Sequence, residues 1–319
     1  MANLSLADEY AEILSAEVTM DVGKLRDLAR LHGIPPQFRG DVWRYLLGIV
    51  PSDLSHEVSS ARARSQSYET MCASAMSSHI APDTAKLVRG EFSRYLRRVP
   101  VFAQLTQEVG IDVVRGVFER IIITFLSNHS DLDYEPPWIH VLAPFVASIR
   151  DERDVYFCFE AFMLKLSGQQ ADLNLSQQMA SVLSLLRTSL PELYNYLDEE
   201  EVDVRAWLPN WLQYAFASEL PFDALLRLWD VYLAETKGFQ LHPYVCLAVL
   251  HQLKEALEEM ESSEVIAMLK RLPFRASDID TLINVAKNLR LDAQQGEARD
   301  EEMYRMGTSS LAGSRSSSR

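Results

Sequence analysis

Apolar residues in this chain recur at helical spacing along nearly its whole length, and nowhere do they recur at strand spacing. Leu6, Tyr10, Ile13, Leu14 and Val18 fall on one face of an opening helix, with acids between them. No run of alternating β-branched residues occurs, and neither Asn-Gly nor Asp-Gly marks a hairpin. Twelve glycines in 319 residues suit helices joined by short loops. The pattern predicts an all-α fold.

Asp21 caps a second predicted helix over Val22–His32, which stops before Gly33-Ile34-Pro35-Pro36. Further helices are expected over residues 40–47, 57–77, 84–99, 111–127, 141–149, 151–166, 173–189, 191–197, 209–217, 223–235, 243–260, 263–270 and 276–291. Residues 296–319 are rich in Ser, Gly and charge and nearly free of large apolar side chains, a composition expected of a disordered tail. No fixed-period repeat points to a solenoid.

Several function classes drop out on composition. The longest apolar runs, Ile121–Leu126 and Val141–Ile149, fall short of a membrane span. Residues 1–20 carry Asp8, Glu9, Glu12 and Glu17 and no base, so no secretory or transit signal is expected and the default compartment is cytoplasmic. A net charge of −14 opposes non-specific binding to nucleic acid or anionic lipid. Cys72, Cys158 and Cys246 lie far apart with no CxxC pair, which predicts reduced thiols and no zinc site. Asp131-Leu132-Asp133-Tyr134-Glu135 alternates acids like the start of a calcium loop. Such a loop needs glycine at its sixth position and glutamate at its twelfth, where this chain has Pro136 and Leu142. No metal is expected. Without GxxxxGK[ST], GxSxG or HExxH, intrinsic nucleotide, serine or zinc hydrolysis has no support either.

Three segments carry a family pattern in order. The first is Gly33-Ile34-Pro35-Pro36-Gln37-Phe38-Arg39-Gly40-Asp41-Val42-Trp43. The second is Tyr134–Phe145 with Asp154-Val155-Tyr156-Phe157-Cys158-Phe159. The third is Trp211-Leu212-Gln213-Tyr214-Ala215-Phe216 with Leu228-Trp229-Asp230-Val231-Tyr232. Together they resemble the TBC domain, the GTPase-activating module for Rab-type small GTPases. The resemblance implies an all-α TBC-type fold of two packed helical subdomains over residues 33–295, preceded by an N-terminal helical extension over residues 1–32. Arg39, Trp43, Trp211, Trp229 and Asp230 are expected to be structural: the aromatics as core, Arg39 as a tie between helices through a carboxylate, Asp230 as a buried cap or ion-pair partner.

The resemblance also implies a mechanism with two fingers. An arginine neutralises charge on the transferring phosphoryl group, and a glutamine positions the attacking water. The family has no cofactor of its own, because Mg-GTP is carried by the partner GTPase. Its arginine pattern, Ile-x-x-Asp-x-x-Arg, is matched by Val88-Arg89-Gly90-Glu91-Phe92-Ser93-Arg94, which makes Arg94 the candidate finger and Glu91 its orienting carboxylate. Helix geometry agrees: Val88, Phe92, Tyr95, Leu96 and Val99 form one apolar stripe, and Arg94 lies outside it near Glu91 and Arg98. Lys86, Arg89, Arg94, Arg97 and Arg98 make a basic patch in an acidic protein, suited to a polyphosphate-bearing partner. Arg97, Arg98, Tyr134 and Glu135 are the expected GTPase contacts.

The glutamine pattern, Tyr-x-Gln-Gly-Met, departs: the chain reads Tyr134-Glu135-Pro136-Pro137-Trp138. Pro136, at the glutamine's position, has no side-chain donor or acceptor with which to hold a water. Two readings follow. In one, the chain regulates a GTP-bound Rab through Arg94 in vesicle trafficking, with peripheral recruitment to endomembranes. In the other, it is a catalytically deficient module, a GTPase-binding adaptor or a subunit docking a helical partner.

Overall fold

The computed structural model describes residues 5–79, 81–168, 174–236 and 238–295. The expected disordered tail lies outside them. The described residues are helical, and the one β-type pairing among them is an isolated bridge between Thr19 and Asp53.

Sixteen α-helices run in chain order among the described residues. The first half holds α1 (Leu6–Leu14), α2 (Val22–His32), α3 (Pro36–Leu46), α4 (Glu57–Met76), α5 (Ala81–Arg98), α6 (Pro100–Val109), α7 (Ile111–Asn128) and α8 (Trp138–Ser148). The second holds α9 (Glu152–Gly168), α10 (Leu175–Ser189), α11 (Pro191–Glu199), α12 (Leu208–Tyr214), α13 (Phe222–Ala234), α14 (His242–Leu257) and α15 (Ser262–Leu269), with α16 following over residues 276–295. One continuous core runs through both halves, from Tyr10 and Leu25 through Trp43, Phe118 and Phe145 to Trp229 and Ile283. Residues 1–32 share that core: α2 buries Leu25 and Ala29, and the buried Tyr10 hydroxyl donates to the Gly33 carbonyl at 3.0 Å.

Differences from the predicted elements have local causes. Val18 does not extend the first helix and is 72% exposed. Its stretch pairs instead with the segment after α3, through Met20 N–H to the Ser52 carbonyl and Leu54 N–H to the Val18 carbonyl. Helix α3 begins at Pro36 rather than Gly40, because proline suits the first helical turn, where its missing N–H has no intrahelical partner anyway. Pro100 likewise opens α6, a helix the apolar pattern did not single out. Helix α12 stops at Tyr214 instead of continuing to Ala217, since Ala215 and Phe216 adopt left-handed φ of 47° and 64°.

Trp211 and Trp229 are fully buried. Trp229 Nε1–H donates to the Ala215 carbonyl and Trp211 Nε1–H to the Leu269 carbonyl, both at 3.0 Å, pinning that left-handed turn and the end of α15. Asp230, fully buried on α13, accepts from Arg39 Nε (3.1 Å) and Nη2 (3.2 Å), Trp43 Nε1 (2.9 Å) and Ile34 N (3.0 Å). Burial pushes its carboxyl up, and the Arg39 charge and the other donors oppose that shift. Arg39 thus ties α3 to α13.

Candidate functional site

Helix α5 buries Val88, Phe92 and Tyr95 against α7 and α8, while Arg89, Gly90, Ser93, Arg94, Arg97 and Arg98 stay exposed. The stripe read from the sequence is the buried face. Phe92 packs on Phe118 with ring centres 4.9 Å apart, and Tyr95 meets His140 of α8 edge-on at 4.8 Å.

Arg94 projects from this helix with its side chain 58% exposed, and Glu91 anchors its base. Glu91 Oε2 accepts from Arg94 Nε at 2.8 Å and lies 2.5 Å from Nη2. The carboxylate itself is buried, its side chain 11% exposed, so it grips Arg94 from within rather than from solvent. Its other oxygen, Oε1, sits 4.0 Å from His140 Nε2. Burial and the Arg98 charge push His140 down to about 4, so its ring is neutral at pH 7. Tyr134 completes the group. Its buried hydroxyl has no hydrogen-bond partner among the described residues, and burial with the nearby Glu91 charge raises its pKa, against the pull of Arg94. Glu91, Arg94, Tyr134 and His140 therefore form one cluster where α5 meets the start of α8.

The loop before α8 is built on two prolines. Pro136 and Pro137 form the turn that starts the helix: the Pro136 carbonyl accepts from Ile139 N–H at 3.3 Å, and the Pro137 carbonyl from His140 and Val141 N–H at 2.9 and 3.1 Å. Glu135 and Pro136 are exposed. The Glu135 carboxyl is raised by partial burial and by Asp133. A cleft of about 320 Å³ opens beside the loop, lined by Leu132, Glu135, Trp138, Met163, Leu175 and Gln213 among others.

The basic patch is smaller than the sequence count suggested. Arg89 pairs with Glu119 of α7 at 2.8 Å and Arg94 is held by Glu91, whereas Arg97 and Arg98 form no salt bridge among the described residues. One residue escaped sequence reasoning altogether. Glu219, in the turn after α12, is 4% exposed, and burial pushes it up to about 7 despite the Arg98 charge. Its Oε2 is buried without a partner among the described residues. Only the polar identity of Glu219 within an apolar stretch hinted at this. No group of three or more His, Cys, Asp or Glu side chains able to hold a metal occurs among the described residues, and no helix there is long and apolar enough to cross a membrane.

The described residues thus form an all-α domain that presents one carboxylate-tethered arginine beside further exposed bases. Its kind is settled by comparison: the Rab-GTPase-TBC domain family matches residues 36–258, and the chain belongs to that family. It is 25% identical over 290 residues to human TBC1 domain family member 17, a match that covers 86% of this chain and 44% of that protein. It is 25% identical over 317 residues to the GTPase-activating protein gyp1 of Schizosaccharomyces pombe, covering 89% of this chain and 61% of that one. Among solved structures, the Ypt/Rab-GAP domain of Gyp1p superposes with a TM-score of 0.78 at 19% identity over 90% of this chain and 99% of that chain. The Chlamydomonas flagellar RabGAP TBC domain gives 0.67 at 18%, covering 88% of each. The chain spans about half the length of the curated relatives it matches. These likenesses establish the TBC-type all-α fold.

Proposed function

We propose that this chain regulates a Rab-type GTPase in its GTP state through Arg94, with residues 33–295 as the acting domain and residues 1–32 packed onto it. The observation that carries the reading is Arg94 itself: exposed, on a rigid helix, at the position of the family's arginine, and held at its base by a buried carboxylate. Charge developing on the transferring phosphoryl oxygens is stabilised by a guanidinium placed without reorganisation, and such a finger contributes roughly 10³–10⁵ in rate.

Pro136 shapes the rest of the mechanism. It stands at the position of the family's glutamine and supplies no group to a water, so the attacking water is positioned by the GTPase's own side chain. Arg97, Arg98, Tyr134 and Glu135 border the same face and are the proposed contacts. The gyp1 relative carries the name GTPase-activating protein, which supports activation rather than mere binding.

Single-turnover GTP hydrolysis on a panel of purified Rabs, paired with binding to GTP- and GDP-loaded forms, tests the reading. Acceleration by the parent and its loss in Arg94→Ala is the expected result. GTP-dependent binding with no acceleration makes the chain an adaptor instead.

A further inference from the structure

We infer that Gly90 is a specificity-determining position, a low point on α5 against which the main chain of the bound GTPase lies, with the exposed Leu87 as its apolar neighbour. The inference rests on the reading of Arg94 above.

Glycine is the least favourable helix residue after proline, because it forfeits backbone entropy. Gly90 nevertheless sits in the middle of α5. At Gly40 the fold supplies the reason. A Cβ on Gly40 would lie 2.1 Å from the Ser148 carbonyl oxygen, so α3 crosses the end of α8 only without a side chain there. A Cβ on Gly90 meets nothing within 4 Å, and its φ is not in the left-handed region. The fold of this chain therefore gains nothing from glycine at 90. The demand comes from outside.

The surroundings say what approaches. At about 100° per residue, Leu87, Gly90, Arg94, Arg97 and Arg98 share an arc of about 100° on the side of α5 away from its core. Leu87, two turns before Arg94 on this arc, is 56% exposed. Gly90 lies four residues before Arg94, or about 6 Å along the axis. A partner whose phosphate meets the Arg94 guanidinium must lie along this arc, and α5 admits its closest approach where no side chain projects. Lys86, Arg97 and Arg98 flank the low point, complementing a polyphosphate in a chain whose net charge is −14.

The test uses the full chain with Gly90→Ala and Gly90→Leu, against Rabs loaded with a non-hydrolysable GTP analogue, followed by single-turnover hydrolysis. Both variants are expected to melt at or above the parent temperature, Gly90→Ala higher by about 2 °C. Gly90→Leu is expected to weaken binding at least tenfold, raising KM while the rate at saturation holds, and Gly90→Ala about threefold. Leu87→Ala is expected to weaken binding by a similar few-fold. Folded Gly90 variants that bind and activate like the parent would overturn the inference, and if Arg94→Ala is still inactive the proposed function stands. A parent that binds no Rab of the panel, or an Arg94→Ala variant as active as the parent, overturns the proposed function and this inference with it. Gly90→Ala keeps the test valid should Gly90→Leu misfold, since its added methyl group enters open space.

Discussion

Two arginine–carboxylate pairs in this molecule share their chemistry and differ in burial. Arg39 and Asp230 lie 191 residues apart in sequence, with side chains 12% and 0% exposed. The carboxylate there receives four donors, two from Arg39 and one each from Trp43 and Ile34, so no acceptor capacity faces outward. Glu91 and Arg94 lie three residues apart on one helix, the carboxylate buried and the guanidinium 58% exposed. One oxygen of Glu91 holds Arg94, and the other faces His140 at 4.0 Å. A buried pair saturated with donors fixes the fold. A pair with one partner in solvent holds a charge in place and leaves it available.

That contrast breaks if Arg94 matters to the fold. Arg94→Ala is expected to reduce accelerated GTP hydrolysis by roughly 10³-fold or more while its stability stays within about 0.5 kcal/mol of the parent, read by single-turnover kinetics beside urea unfolding. Asp230→Asn should do the reverse. It leaves the buried Arg39 charge uncompensated, a loss of about 3–5 kcal/mol, and the fraction that remains folded should keep its activity per molecule. An Asp230→Asn protein as stable as the parent would remove the fold-fixing role from that cluster.

Acids buried beneath the basic face sharpen the comparison further. Glu219 holds its proton up to about pH 7 when folded, against an ordinary value of 4.5, so the folded chain binds a proton that the unfolded chain has released. Its stabilising contribution is therefore full below about pH 4.5 and is lost as pH rises through 7. His140 works in the opposite sense: neutral when folded down to about 4, against an ordinary 6.5, it loses stability as pH falls from 6.5 through 4. Glu219→Gln removes the first dependence. Urea unfolding across pH should show the variant gaining on the parent at pH 8, by an amount on the order of 3 kcal/mol, with the gain gone at pH 4.5.

The smallest effect is expected at Glu91. Glu91→Gln keeps an acceptor for Arg94 but loses the charge that attracts it, so hydrolysis should fall about tenfold, the range of a charge-assisted hydrogen bond reduced to a neutral one. A merely structural role predicts the same loss in any background. Positioning of Arg94 predicts that Glu91→Gln has no further effect once Arg94 is alanine, which a double-mutant cycle measures.

Much of this was legible without coordinates, and the reasons differ by residue. Helix α2 runs over Val22–His32 as read, with Asp21 accepting from Lys24 N–H at 2.9 Å, because cap and apolar face are both local signals. The α5 stripe was equally local, and so was the exposure of Arg94. The starts of α3 and α6 were misread or missed because proline reads as a stop in sequence yet is at home in a first turn. The left-handed Ala215 and Phe216 carried no local sign, since neither residue favours that conformation; the buried Trp229 bond to the Ala215 carbonyl holds it.

The sequence alone determined that the chain is helical, that α5 turns Arg94 away from the core, and that Pro136 brings no hydrogen-bonding side chain to the loop before α8. Each follows from chemistry within one residue or periodicity within one helix. Only the tertiary structure decided that Glu91 is buried against His140, that Asp230 collects four donors from one segment almost 200 residues away, and that Glu219 lies in an apolar interior near Arg98. The protonation and grip of a buried polar group depend on neighbours brought from far along the chain. Helical periodicity shows which side of α5 points inward, and packing alone supplies what meets it there.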